Sequence, residues 1–393
     1  MLLLRALLTG WGVRESVANR VAVAFAVGTP ILHYGAAVYG HALVATASLG
    51  AAFALQKATR ASDTTKKRAW QFSMGLVGGV SFAIEYQAAV LCISLAIAYL
   101  AIPEHRNISS LIAPAFGAAI PIGLVFLYND AAFGGPLETS YAHLHQAATS
   151  QTHSKGLFGV TFPRPEAIYG LLASPARGLL FCAPVVAAGL IAIGRQWKRE
   201  RWPALFLISA FVTYFLIAAG TDVWAGGWSF GPRLLVPIMG LAALPAGVLL
   251  DEWTGDSPVK ATAMRGYFAA GILYNGFVTM MWPEIPDTFT NPLKSVALPL
   301  AQMGEPAPNI GMFWFGLDGL ASVLPGLAVI VVLAGYVCIP KPIAKMWSLQ
   351  RVAAALIVVL AFGASVYLYP EEKPPEAATH WVDAMAKQRE EAR

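Results

Sequence analysis

Long apolar runs alternate with short polar connections along the whole chain, over 21–34, 42–56, 71–86, 87–102, 111–128, 177–194, 203–220, 234–250, 262–282, 320–338 and 351–369. Within each run the apolar positions are continuous rather than spaced every second residue, which excludes the strands of a membrane β-barrel. Several runs approach the roughly 20 residues with which a helix crosses a ~30 Å hydrocarbon core. The pattern predicts an all-α fold, a polytopic transmembrane helical bundle of about 11 spans.

The polar connections are unequal. If the spans alternate and the N-terminus is cytoplasmic, one side receives Arg5, Arg14, Arg20, Lys57, Arg60, Lys66, Lys67, Arg68, Arg106, Arg195, Lys198, Arg199, Arg201, Lys260, Arg265, Lys341, Lys345 and Arg351. The other side, before the C-terminal tail, receives Lys155, Arg164, Arg177, Arg233 and Lys294. Eighteen basic residues against five is a positive-inside bias and sets the expected orientation. The poorer side carries two long extracytoplasmic loops, 129–176 and 283–319, and the shorter 221–233. Long loops in compact folds are commonly functional, so the working face is expected to be the outer one. Residues 1–20 read as a cytoplasmic or interfacial segment, because Arg5 interrupts the apolar start and no small-residue cleavage site follows. Residues 21–369 form the transmembrane domain. Residues 370–393 read as a charged, solvated extracytoplasmic tail, ending in a short helix over 377–392.

Composition agrees. The 393 residues are 57% hydrophobic and 12% charged, half the charged share of an ordinary globular domain, and mean hydropathy is +0.58. The isoelectric point near 9.0 reflects the basic cytoplasmic side rather than nucleic-acid binding. Cys92, Cys182 and Cys338 lie singly in apolar stretches, without metal-ligand or disulfide spacing. No GxxxxGK[ST] loop occurs, so nucleotide hydrolysis is not indicated.

The candidate chemistry gathers on the outer side. HYGAAVYGHA, 33–42, holds His33, Tyr34, Tyr39 and His41; EYQ, 85–87, puts Glu85 at the end of a span. YNDAAFGGPLETSYAHLH, 128–145, carries Tyr128, Asn129, Asp130, Glu138 and Tyr141. SPARG, 174–178, and TDVWAGGWSFGPR, 221–233, add Arg177, Asp222, Trp224, Trp228 and Arg233. Interfacial Tyr and Trp are ordinary membrane anchors, and the glycines suit turns. Ionisable groups at span ends are harder to explain structurally. An Arg fork matches phosphate or carboxylate oxygens, and a Trp face beside glycine offers a platform for a sugar. An internal salt bridge between Asp222 and Arg233 is the competing reading. His143, His145 and His153 have no tight ligand spacing and read as a solvated loop.

The order HYGAAVYGHAL, YND..FGGPLETSY, YGLLASPARGLLF, VWAGGWSFGPRLLVP resembles bacterial integral-membrane glycosyltransferases of the GT-C superfamily, nearest the protein O-mannosyltransferases and the RgtA/B/C/D-like group, over roughly residues 20–250. The resemblance implies an extracytoplasmic pocket in the bacterial plasma membrane. It also implies a polyprenyl-phosphate sugar donor, and inverting transfer with an acidic base and basic phosphate contacts. Carried onto this chain, Arg233 and Arg177 are phosphate contacts, and Trp224 and Trp228 are sugar or lipid platforms. Tyr128, Asn129, Glu138 and Tyr141 shape the pocket, with His41 and Asp222 beside it. The family carries its acid in the first external loop, yet 33–42 contains no Asp or Glu. Three readings stay open: an N-terminal span and acidic loop are missing, Glu85 or Asp130 has become the base, or transfer has been lost.

The leading expectation is therefore transfer of a sugar from a polyprenyl-phosphate carrier to an extracytoplasmic lipid, glycan or protein. A non-catalytic subunit that binds or assembles lipid-linked glycan is the alternative. A transporter ranks third, because charged residues are almost absent from span centres. Nothing in the residue spacing requires a cofactor. A divalent metal is left open, with Glu85, Asp130 and Glu138 as its carboxylates.

Overall fold

The computed structural model describes residues 1–37, 39–143, 159–339, 348–370, 380–385 and 387. Lys155, His145, His153, Lys341 and Lys345 lie outside the described residues. The fold is all-α; among the described residues β-pairing is confined to an isolated bridge between Val160 and Thr221.

The helix Val236–Asp256 forms the axis of the bundle. Every residue from Leu235 to Leu250 is buried, as a helix that is apolar all round requires. Gly40–Arg60, Pro184–Ile191 and the amino-terminal helix Leu2–Gly10 pack around it. Leu4, Leu7 and Leu8 have no exposed surface, so the amino-terminal helix is part of the core. Gln56 Nε2 donates to the Leu7 carbonyl at 3.0 Å. Arg60 and Arg199 donate to the Gly10 and Trp11 carbonyls, placing cations at the helix end that carries negative partial charge.

Among the described residues, five helices are long and apolar enough to cross a membrane: Ile108–Phe133, Arg201–Gly220, Arg233–Asp256, Gly319–Cys338 and Leu349–Leu368. The first and last of these bury only 17% and 11% of their most apolar windows, against 89% for the central one, so they form the bundle's periphery. Ile108–Phe133 packs on Thr64–Ile84 through small residues: a side chain at Gly75 or Gly117 would overlap the facing backbone. Close packing at small residues is the usual substitute for hydrophobic attraction between helices in lipid.

Two runs expected as continuous spans are interrupted. The run 21–34 ends its helix at Val27 and resumes as Ile31–Tyr34 after Pro30. The run 177–194 divides into Leu179–Cys182 and Pro184–Ile191. Proline lacks the amide needed to continue the hydrogen-bond ladder. The central Gly40–Arg60 helix runs about 30 Å, separating a basic end, with Lys57, Arg60 and Arg199, from an end holding His41, Glu85, Arg177 and Arg233.

The described part of the tail touches the bundle. Residues 380–385 are helical, Val382 is buried, and the Trp381 ring meets Trp282 and Trp228 edge-on at 5.5 and 5.7 Å.

Candidate functional site

The 221–233 loop is held by Arg177. Its Nε donates to the Ala225 carbonyl at 2.6 Å, Nη1 to Ala176 at 3.1 Å, and Nη2 to Gly227 and Ile285 at 3.2 and 3.0 Å. Arg177 is 2% exposed, and its guanidinium uses four of its five donors on main-chain carbonyls. It staples the 174–178 turn, the glycine-rich loop and the 282–290 segment together. Gly226 and Gly227 both take positive φ, 80° and 66°, which turns their carbonyls and amides without strain. Gly231 N–H closes the same junction on the Ala176 carbonyl at 2.9 Å.

Asp222 pairs with Arg164, Nη1 to Oδ1 at 3.5 Å; the anticipated Asp222–Arg233 bridge is not the pairing observed. Arg233 instead lies over the Tyr39 ring, Cζ 5.5 Å from its centroid, and among the described residues its buried Nε has no hydrogen-bond partner. Tyr39 stacks in turn on His41, with centroids 6.2 Å apart and planes within 2°. Tyr34, fully buried, meets both rings edge-on.

His41 Nδ1 lies 2.7 Å from Glu85 Oε1. The nitrogen satisfies no aligned hydrogen bond among the described residues, so the approach is a close contact off the ring N–H axis. Gly40 makes it sterically feasible, since a Cβ there would fall 2.6 Å from Glu85 Oε1. The hydroxyl of Tyr214 is buried without a hydrogen-bond partner among the described residues and within electrostatic reach of Glu85.

The remaining expected residues divide. Asn129 is buried and accepts from the Tyr86 hydroxyl at 3.1 Å, which ties the helix Ile108–Phe133 to the residue after Glu85. Tyr128 is exposed against Phe133, and Asp130 and Glu138 are exposed. Tyr141 belongs to the turn Ser140–His143; its side chain lies outside the described residues. Trp224 and Trp228 part company. Trp224 packs its ring edge on Gly170, whereas Trp228 turns to Trp381. Among the described residues no three His, Cys, Asp or Glu side chains gather as metal ligands.

A cavity of about 860 Å³ opens beside the loop, lined by Arg177, Trp224, Tyr169, Asp287, Thr290 and Tyr369 among others. The Thr290 hydroxyl is buried there without a protein partner among the described residues. Asp287 and Tyr169 are absent from the expected set. Asp287 carried a usable signal, a carboxylate in a proline- and tryptophan-bearing connection between apolar runs, WPEIPD. Tyr214 carried none, since it sits inside an apolar run.

Comparison with known proteins finds no matching family model, no matching curated protein and no matching solved structure.

Proposed function

We propose that this chain is a membrane glycosyltransferase that moves a sugar from a polyprenyl-phosphate carrier to a lipid, glycan or protein acceptor. In this reading it spans the bacterial plasma membrane eleven times, with a cytoplasmic N-terminus and the His41–Glu85–Arg233 end facing outward. The observation that carries the reading is Arg233. It is a half-buried guanidinium with no ion-pair partner among the described residues, linked through Tyr39 to the His41–Glu85 pair. A planar, permanently charged fork joined to a carboxylate through two stacked rings suits a phosphate leaving group and a base at one end of the bundle.

Glu85 is the base. Deprotonating an acceptor hydroxyl needs a carboxylate within about 3 Å of it, and His41 holds the carboxyl group in place. The bond from the anomeric carbon to the phosphate oxygen breaks as the acceptor oxygen attacks from the opposite face. The phosphate leaves with the bonding pair and Arg233 balances its charge, while Glu85 takes the hydroxyl proton. Trp224 offers the sugar a flat apolar face. Arg177, already committed to carbonyls, acts as a positioning residue by fixing the loop that carries Trp224 and Arg233.

The test is transfer of radiolabelled sugar from a synthetic polyprenyl-phosphate donor in membranes carrying wild type, Arg233→Ala or Glu85→Gln. Loss of transfer in both variants at normal expression supports the proposal. Undiminished transfer in either removes that residue from the mechanism. Donor retained by the wild type without any turnover would identify a binding subunit instead.

A further inference from the structure

At the opposite end of the bundle, the helices Leu2–Gly10, Gly40–Arg60 and Thr64–Ile84 enclose a second cavity of about 600 Å³. Its lining carries Arg5, Lys57, Arg60 and Lys66 and no carboxylate. The neighbouring acids are already engaged. Glu15 pairs with Arg5, and Asp63 accepts from the Lys66 backbone N–H at 2.7 Å as the cap of its helix. Arg60 donates to the Gly10 carbonyl, which sets its guanidinium at the groove's inner edge. Lys57 and Lys66 are exposed and have no ion-pair partner among the described residues.

The same groove has an aromatic wall. Phe53 and Trp70 line it and meet edge-on at 5.9 Å, and the Lys57 ammonium lies 5.2 Å from the Phe53 centroid. Like charges crowded around a void repel one another unless an anion enters. The groove therefore joins a cationic rim to an apolar, tryptophan-bearing wall at the end of a helical bundle. That combination fits the phosphate and glycerol of a membrane lipid better than a fully hydrated ion, because basic clusters next to membrane helices attract anionic headgroups and Trp favours the interfacial layer.

We propose that this groove is a specific site for an anionic phospholipid, with the phosphate held by Lys57, Lys66 and Arg60 and the lipid body against Phe53 and Trp70. The contacts of Arg60 with Gly10, and of Gln56 with Leu7, place the lipid on the seam between the amino-terminal helix and the bundle. Occupancy therefore also steadies that helix.

Native mass spectrometry of the purified full chain tests this with phosphatidylglycerol and phosphatidylcholine of identical acyl chains. Wild type should retain phosphatidylglycerol preferentially. The Lys57→Gln/Lys66→Gln variant should bind it about 25-fold more weakly, roughly fivefold per lysine, while Lys198→Gln, in a separate groove with Arg195, Arg199 and Glu252, leaves retention unchanged. Both lysines are exposed, so the variant keeps its fold, which gel filtration verifies. Equal retention of the two lipids, or undiminished phosphatidylglycerol binding by the double variant, overturns the proposal. Full displacement of the lipid by millimolar inorganic phosphate, with a matching thermal stabilisation by phosphate alone, makes it a free-phosphate site and overturns the lipid assignment.

Discussion

Arg164 Nη1 stands 3.5 Å from Asp222 Oδ1, so the acid of the 221–233 loop pairs with a cation from outside the loop. Arg164 also approaches Glu166 at 3.7 Å and donates to the Thr221 carbonyl. Such partly exposed pairs contribute little stability of their own. Their consequence here is one of partner choice: Arg233 meets an aromatic ring where a carboxylate was available eleven residues away in sequence.

Replacing Arg233 by Ala should lower sugar transfer about 100-fold, the scale on which a lost transition-state charge contact is felt. Arg233→Lys keeps the charge but loses the planar fork and its face-on contact with Tyr39, so it should recover only part of the activity. Initial rates with saturating donor, compared across the three proteins, decide this; equal rates for wild type and Ala would end the assignment.

Arg177→Met should act on stability before activity. It removes the donors of four hydrogen bonds and leaves buried carbonyls unpaired, a loss of at least ~3 kcal/mol. A fall in Tm of the detergent-solubilised protein is the expected readout. Arg177→Lys should not rescue it, because one ammonium cannot reach carbonyls of three separate segments. A variant as stable as wild type would show that the loop is held by other means.

Gly40→Ala separates geometry from folding. The new methyl group meets the flexible end of Glu85 at 2.6 Å and the Ile84 side chain at 2.9 Å, so the carboxylate must move from His41. Transfer is expected to drop 10- to 100-fold, roughly what an ångström of misplacement costs a catalytic group, with Tm changed little. Full activity in this variant would mean that the 2.7 Å contact is not required.

Trp381→Ala should loosen the tail. Its ring touches Trp228, Trp282 and Phe289, and cutting it away removes their shared packing. The expected signs are red-shifted tryptophan emission and faster proteolytic trimming of the C-terminal tail. Unchanged emission and trimming would show that the tail docks through Val382 and its neighbours alone.

Much of the architecture was legible along the chain because burying backbone in lipid admits few solutions, and continuous apolar runs point to helices. The helices Ile108–Phe133, Arg201–Gly220 and Leu349–Leu368 follow the runs 111–128, 203–220 and 351–369 closely. Less legible was continuity. The runs 21–34 and 177–194 look whole by hydropathy, yet Pro30 and Pro184 stand where helices break and restart. Hydropathy averages over a window and does not register a single missing amide.

The candidate site shows the same division. Residue types marked His41, Glu85, Arg177, Trp224 and Arg233 as polar or aromatic groups at apolar ends, and that marking needs no coordinates, because such groups are costly in lipid wherever the chain goes. Which of them would be consumed internally was not readable. Arg177 and Arg233 sit in similar sequence surroundings, each just after a proline-containing turn, yet one is bound to four carbonyls and the other faces Tyr39. Trp224 and Trp228 are four residues apart, yet they meet Gly170 and Trp381. Composition and periodicity set the class and the cast of side chains, since transfer energies belong to each residue separately. Pairings between residues far apart in sequence arise only when packing fixes distance and direction, and hydrogen bonds and ring contacts depend on both.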